Sequence, residues 1–349
     1  MPTFHAAQLQ RLTAAVFRAA GAPDDIAEAV ADVLVDNHLA GHDSHGILRI
    51  PEYLQHIREG SIVPAARPRV LQESPTTALV SGSWAFGQVT AAFAADLAIE
   101  KALRQHVSVV SVVEAGHTGR LAAFTERAAR RNVAMFMFIG TVERPLTAPF
   151  GGAGPVLGTN PVSFSVPNPA GDPVTLDYAT SAIAAGKVRV AKARGEQLPE
   201  GVMLTRDGQP TTDPEEWYRG GVLLPFGGHK GYALAVIAEL LSGPLAAADA
   251  YPGVVGRSGI FLFAVDAATF RPLAAYGEAV SRTVGRIKAV PPAPGFDEVL
   301  VPGEPEARAR AQRTRDGIPV PEATWSAVSE AARSLGVDVA AVIGSGADA

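Results

Sequence analysis

Apolar positions recur at helical spacing through the first part of the chain. Leu9, Leu12, Val16 and Ala20 fall on one face, and after Pro23 so do Ile26, Val30, Val33 and Asn37, with Asp25 and Glu28 placed as a capping pair. Tyr53, Leu54 and Ile57 mark a third stripe that stops at Gly60, where Pro64 and Pro68 break the period. Two helices therefore lead into the stretch Asp43–Tyr53, and a third leaves it.

From Thr77 the pattern changes to that of a sheet with helices. Leu79-Val80, the β-branched run Val107–Val113, Val133–Ile139, the alternating Val162, Phe164 and Val166, and Ile260–Val265 read as strands. Between them Val89, Ala92, Phe93 and Leu97 give one helix, Leu121–Arg131 another, and a third runs through Ala193. Glu196–Gly220 is polar and predicts an exposed excursion. Gly227–Gly231 opens the most apolar helix, which reaches Leu241 before the Gly243-Pro244 stop. After Pro291–Pro294, a linker, come a basic helix (Glu306–Arg315) and a closing helix from Glu322 to Leu335 that packs back on the N-terminal helices.

Composition narrows the class. A chain of 349 residues, 47% hydrophobic and 19% charged, has ample core for two domains or one large one. Its formal net charge of -5 argues against a nucleic-acid partner, which needs basic surface to displace phosphate counterions. The absence of cysteine removes disulfides and thiolate metal sites and suits a reducing cytoplasm. Arg11 and Arg18 interrupt the first apolar stretch, and the longest apolar run falls short of the ~20 residues of a membrane span, so no membrane association is expected.

The candidate chemistry centres on Asp43-Ser44-His45-Gly46-Ile47-Leu48-Arg49. If this backbone is helical, His45 and Arg49 project from one face. Arg offers a planar fork to a carboxylate, and His, with an unperturbed pKa of roughly 6.5, exchanges a proton near neutrality. A 2-oxo acid needs both. The same spacing also suits an ordinary surface helix start.

Further candidates are weaker alone. His117-Thr118-Gly119-Arg120 lies between a strand and a helix, where backbone N–H groups and an arginine can receive a phosphate. Asp177 can cap the following helix or orient an imidazole and raise its pKa. His229-Lys230 heads a helix as an anion pocket. Gly-x-Gly-x-x-Gly is absent. His38, His42 and His45 cluster but match no zinc spacing, so no metal is expected.

Together, Asp43–Tyr53, Gly158-Thr159-Asn160-Pro161, Asp177–Ser181 with Gly186-Lys187, Thr211–Pro214, Gly228–Gly231, Pro302-Gly303-Glu304 and Gly317-Ile318-Pro319 resemble the malate/L-lactate dehydrogenase family that lacks a Rossmann domain. Asn37–Gly46, Ala85–Val89, Asp177–Ile183 and His229–Ala235 are most similar to its hydroxycarboxylate dehydrogenase branch.

The resemblance implies an α+β fold: a nicotinamide-binding α/β domain (73–299) with a mainly antiparallel sheet, and a helical domain from both chain ends (1–72 and 300–349). It implies NAD or NADP as cofactor, a small 2-oxo or 2-hydroxy acid as substrate, and a homodimer. His45 matches the proton donor and Arg49 the carboxylate clamp, with Asp177 the third catalytic candidate. Thr159 and Asn160 border the substrate. Cofactor contacts fall on His45, His117, Gly119, Arg120, Leu121, Thr175, Leu176, Asp177, Tyr178, Ala179, His229, Lys230, Ser258, Val301, Pro302, Gly303 and Glu304.

This chain has Gly116-His117-Thr118-Gly119 where much of the family has Asn-His-Phe-Gly, which leaves cofactor choice and substrate size open. Three other readings stay open: a reductase of a cyclic imine carboxylate, a metal-dependent lyase using His38, His42 and His45, and a dinucleotide-binding protein without turnover.

Overall fold

The computed structural model describes residues 1–140, 145–248 and 258–344. The chain begins with β1 (Thr3–Phe4), α1 (Ala6–Ala19), α2 (Asp24–Leu39) and α3 (Ile50–Arg58). There follow β2 (Arg69–Glu73), β3 (Thr77–Ser81), α4 (Gly87–Gln105), β4 (Val107–Ala115), α5 (Ala122–Ala129), β5 (Val133–Gly140), β6 (Val162–Val166) and β7 (Val174–Tyr178). Next come α6 (Ala185–Arg194), β8 (Met203–Leu204), β9 (Pro210–Thr211), β10 (Val222–Leu223), α7 (His229–Leu240), β11 (Ser258–Asp266) and α8 (Leu273–Lys288). The chain closes with α9 (Glu304–Asp316), β12 (Ile318–Pro319), α10 (Glu322–Ser334) and α11 (Val339–Ile343).

A seven-stranded sheet, ordered β2-β3-β4-β11-β5-β6-β7, forms the centre of this mixed α/β molecule. Only β3 and β4 run parallel; the other neighbouring pairs are antiparallel. α4 lies on the sheet through Ala91, Ala94, Ala95, Ala98 and Ala102, small side chains that let its backbone approach closely. The larger stripe Val89, Ala92, Phe93 and Leu97 is only partly covered, so the helix is as expected but its buried face is the alanine one.

A second core joins the ends of the chain. Leu9, Leu12, Phe17, Val30, Leu34 and Tyr53 pack with Phe86, Ile318, Val320 and Val328, while β1 pairs antiparallel with β12. The closing helix α10 thus returns to the N-terminal helices, as its apolar stripe requires.

Some expectations need correction. Asp25 does not cap α2; its carboxylate forms a two-pronged ion pair with Arg67 (2.7 and 2.9 Å). The stretch Glu196–Gly220 is more than an exposed excursion, since β8, β9 and β10 make a three-stranded sheet over a small core of Val188, Leu198, Val202, Met203 and Leu223. A few spaced apolar residues suffice there because α6 supplies the opposing face. α8 and β2 went unread in the sequence. β2 is an exposed edge strand without a clear apolar period, whereas Leu273, Tyr276, Val280 and Val284 recur at helical spacing along α8 and are half-buried, a stripe that does mark a helix.

β11 also makes a tight contact with the turn after α7: a Cβ added to Gly259 would lie 1.6 Å from Ser242 O. Since backbone on both sides must give way, Gly259→Ala is expected to cost more than about 3 kcal/mol, read as a lowered urea midpoint.

Candidate active site

The central stretch does not form the single helical face that its spacing predicts. Asp43–His45 and Ile47–Arg49 are separate 3-10 turns, and the break falls at Gly46. A Cβ at Gly46 would lie 2.2 Å from the His38 ring. His38 is buried with both nitrogens engaged. The Ile47 N–H donates to Nε2 (3.0 Å), so Nδ1 carries the proton and donates to Asp43 Oδ1 (3.0 Å).

His45 and Arg49 nevertheless share this loop. The buried Arg49 guanidinium donates from Nε to Ser44 O (2.7 Å) and from Nη1 to Glu52 (2.7 Å). His45 is half-buried, with Nδ1 3.2 Å from Ser44 Oγ, and its carbonyl accepts from the Asn37 amide at 3.0 Å. Desolvation, followed by the positive charges of Arg49, His42 and Arg120, pushes its imidazole down to about 3. The expected rise of this pKa beside a carboxylate is thus reversed.

Asp177 does not supply that carboxylate. Its carboxylate accepts from the Ala122 N–H at 2.7 Å and caps α5, and among the described residues no hydrogen bond or ion pair joins it to His45. Desolvation pushes the Asp177 carboxyl up to about 6, against the Ala122 hydrogen bond and the charge of Arg120. Capping is the reading its geometry supports, though of α5 rather than of the helix that follows it.

The neighbour of His45 is another imidazole. The His117 ring lies nearly parallel to it (10°), with centroids 5.6 Å apart. Tyr53 Oη accepts from Gln88 Nε2 (2.7 Å) and lies within hydrogen-bond reach, 2.7 Å, of His117 Nδ1. Burial pushes the Tyr53 phenol up, keeping it a donor. Sequence reasoning missed this arrangement. Gln88 and His117 lie 35 and 64 residues from Tyr53, which reads as an ordinary core aromatic in its stripe.

Gly119 brings the same loop to His45: at φ +88°, its added Cβ would sit 3.1 Å from Asn37 Nδ2 and 4.0 Å from His45 Cβ. Arg120 is not a solvated phosphate receptor. It is 2% exposed and paired with Glu126 and, at 3.7 Å, Asp36, while its Nε and Nη1 lack hydrogen-bond partners. Leu121 beside it is buried.

The other candidates gather in part. Thr175 N–H donates to Pro302 O (3.0 Å), and Glu304 accepts from Val301 N–H (2.9 Å) and Lys288 (2.8 Å), so β7 and the turn before α9 meet. Gly303 permits this at φ +95°, where a Cβ would lie 3.2 Å from Pro173 O. Leu176, Tyr178 and Ala179 continue along the same edge, with the Tyr178 ring edge-on to Phe226. His229 and Lys230 are exposed at the start of α7, and Ser258 pairs with Ala115 just before the His117 loop.

Thr159 O accepts from Thr180. Asn160 is fully buried; its Nδ2 donates to Ala235 O (3.0 Å) and Glu239 (2.7 Å), anchoring α7, while its Oδ1 has no hydrogen-bond partner. The metal-lyase reading loses its ligands, because both His38 nitrogens are engaged and His42 Nε2 faces Glu306 at 3.3 Å. A cleft of about 480 Å³, lined by His42, Asp43, Ser44, Lys187, Pro305 and Glu306, opens beside the loop.

Because the His38 ring fills the space above Gly46, Gly46→Ala is expected to displace both turns. The protein should lose about 2 kcal/mol or more in denaturant melting, together with most of its turnover.

The comparisons agree with this architecture. The family model described as malate/L-lactate dehydrogenase matches residues 4–329. An L-lactate dehydrogenase of Cupriavidus necator is 36% identical over 339 residues, 95% of this chain and 97% of that protein. Hydroxycarboxylate dehydrogenase B of Escherichia coli is 35% identical over 341 residues, 96% of this chain and 94% of its own. The structure of sulfolactate dehydrogenase from Methanocaldococcus jannaschii superposes with a TM-score of 0.89 at 33% identity, covering 98% of this chain and 100% of that one. With nearly its whole length matched, the chain belongs to the malate/L-lactate dehydrogenase family.

Proposed function

We propose that the chain is an NAD- or NADP-dependent dehydrogenase that interconverts 2-hydroxycarboxylates and 2-oxocarboxylates. The observation that carries this reading is the meeting of His45 and Arg49 in one loop, both on Ser44, whose carbonyl takes Arg49 Nε at 2.7 Å and whose Oγ lies 3.2 Å from His45 Nδ1. An anion clamp and a proton carrier then act on one small molecule. A helical unit from both chain ends is supported by the core joining them, and an α/β unit by the sheet, whose first strand β2 (Arg69–Glu73) puts its start before residue 73.

The residues fit a dinucleotide held without a Rossmann fingerprint. Gly119 and Gly303 adopt left-handed backbone where an added Cβ would crowd its neighbours, the buried Nε and Nη1 of Arg120 make no hydrogen bond, and Lys187 lines the cleft. Thr175 to Ala179, His117 and Val301 to Glu304 would hold it. Bound there, a nicotinamide would supply or accept the hydride.

The protein's own groups do the rest. Arg49, fixed by Ser44 and Glu52, holds the substrate carboxylate and sets the orientation of the reacting carbon. His45 accepts the hydroxyl proton in oxidation and returns it to the carbonyl oxygen in reduction. Burial, and after it the positive field of the site, keeps His45 neutral; a carboxylate seated on Arg49 offsets part of that field, so anion binding favours the imidazolium that reduction requires.

A cytoplasmic homodimer accords with the lack of cysteine and with apolar surface on and after α7, where Ile237, Leu240 and Leu245 are 50%, 50% and 65% exposed. Among the described residues, no helix is long and apolar enough to cross a membrane.

A spectrophotometric screen of 2-oxo acids and cyclic imine carboxylates with NADH and NADPH tests the activity; no oxidation of either cofactor across the 2-oxo acids would overturn it. His45→Gln is expected to lower kcat by roughly 10²-fold or more while cofactor affinity stays within a few-fold. Arg49→Ala should act through the carboxylate, raising KM for 2-oxo acids. A base with a pKa of about 3 stays unprotonated well below neutrality, so kcat/KM for oxidation should remain flat from pH 7 to 5. An ordinary imidazole would lose about 30-fold over that range.

A further inference from the structure

α9 carries four arginines, Arg308, Arg310, Arg313 and Arg315, and buries none of its residues. It is held by charge. Arg310 pairs with Asp36 on α2, and Glu306 meets His42 at 3.3 Å. Arg313 does something different. From Nη1 it donates to His38 O (2.6 Å) and to Asp43 Oδ1, and its Nη2 lies 3.4 Å from Asp43 Oδ2.

The geometry points to Arg313 as a positioning residue for catalysis, acting through Asp43 and the neutral His38 on the turns that carry His45 and Arg49. The inference rests on the catalytic reading of that loop. Its links are continuous. Arg313 grips both the Asp43 carboxylate and the His38 backbone; Asp43 accepts from His38 Nδ1; His38 Nε2 then accepts from Ile47 N–H at the start of the second turn.

The tautomer is the working part. With Asp43 ionised, His38 keeps its proton on Nδ1 and presents a lone pair to Ile47. Burial works against that charge, but the His38 and Arg313 hydrogen bonds hold the Asp43 carboxyl below the usual carboxylate range. Removing the guanidinium weakens the hold on Asp43, frees His38 to exchange tautomers and loosens the turn at Gly46. Displacements below one ångström at a reacting group are enough to cost most of its rate.

Arg310 supplies the control, because it docks the same helix without touching the loop. In the full-length enzyme, Arg313→Gln is expected to lower kcat for a 2-oxo acid by roughly 10- to 100-fold, with NADH or NADPH affinity measured by fluorescence unchanged. Arg313→Lys should recover part of that loss. Arg310→Gln should lower the melting temperature comparably while keeping kcat within about two-fold. Nitrogen-15 spectra of histidine-labelled protein should show the Nδ1-protonated form of His38 in the parent and tautomer exchange in Arg313→Gln, a change that simple loss of stability does not produce.

Equal losses of kcat in Arg310→Gln and Arg313→Gln would overturn the proposal. So would an unchanged kcat in Arg313→Gln while His45→Gln is inactive. Full activity of His45→Gln would instead remove the catalytic reading beneath it.

Discussion

The imidazole of His38, closed in between Asp43 and the Ile47 N–H, is the constraint on which the site depends. A buried ring with one unsatisfied nitrogen would cost about 1–3 kcal/mol, so both partners are held to it. Satisfying them fixes where one short turn ends and the next begins. It also leaves no room for a side chain at Gly46, so backbone and ring define each other. Once the turns are set, Arg49 Nε finds Ser44 O and the Asn37 amide finds His45 O, and the loop has few remaining freedoms.

The loop sits where differently built regions meet. α1 to α3 and α10 are joined by large apolar side chains, α4 and the sheet by alanines against valine, isoleucine, leucine and methionine side chains, and α9 joins the helices almost entirely through charge. α2 takes part in several of these contacts: Val30 and Leu34 face one core, Val33 the other, and Asp36 pairs with Arg310 of α9. A site at such a seam is open to solvent on one side and rigid behind. That combination suits a protein that must admit a small acid and then hold its reacting atoms still.

Much of the fold was legible because burial writes a period into the sequence. The first helices, the strands Val107–Val113 and Val133–Ile139, and the return of the closing helix all follow from it. An exposed edge strand such as β2 left no such mark, whereas the stripe Leu273, Tyr276, Val280 and Val284 of α8 was there to be read. In the site, the adjacency of His45 and Arg49 was visible, but not the turn geometry, since spacing alone does not reveal a glycine pressed against a ring. Asp177 misled for a related reason. A carboxylate at a strand end finds whichever N–H the tertiary fold brings near, and here that was Ala122. The Gln88, Tyr53 and His117 chain crosses three elements and has no local signature.

The placement of β11 between β4 and β5, and of β12 beside β1, bears on how the molecule is made. A ribosome delivers the flanking strands long before the one that joins them, and the N-terminal helices before the residues that close their core. During synthesis the nascent polypeptide must therefore carry unfinished sheet edges and bare apolar faces until its last quarter emerges. Such long-range closure slows folding and exposes the growing chain to aggregation, so its yield in a cell should depend on chaperone capacity more strongly than its final stability suggests.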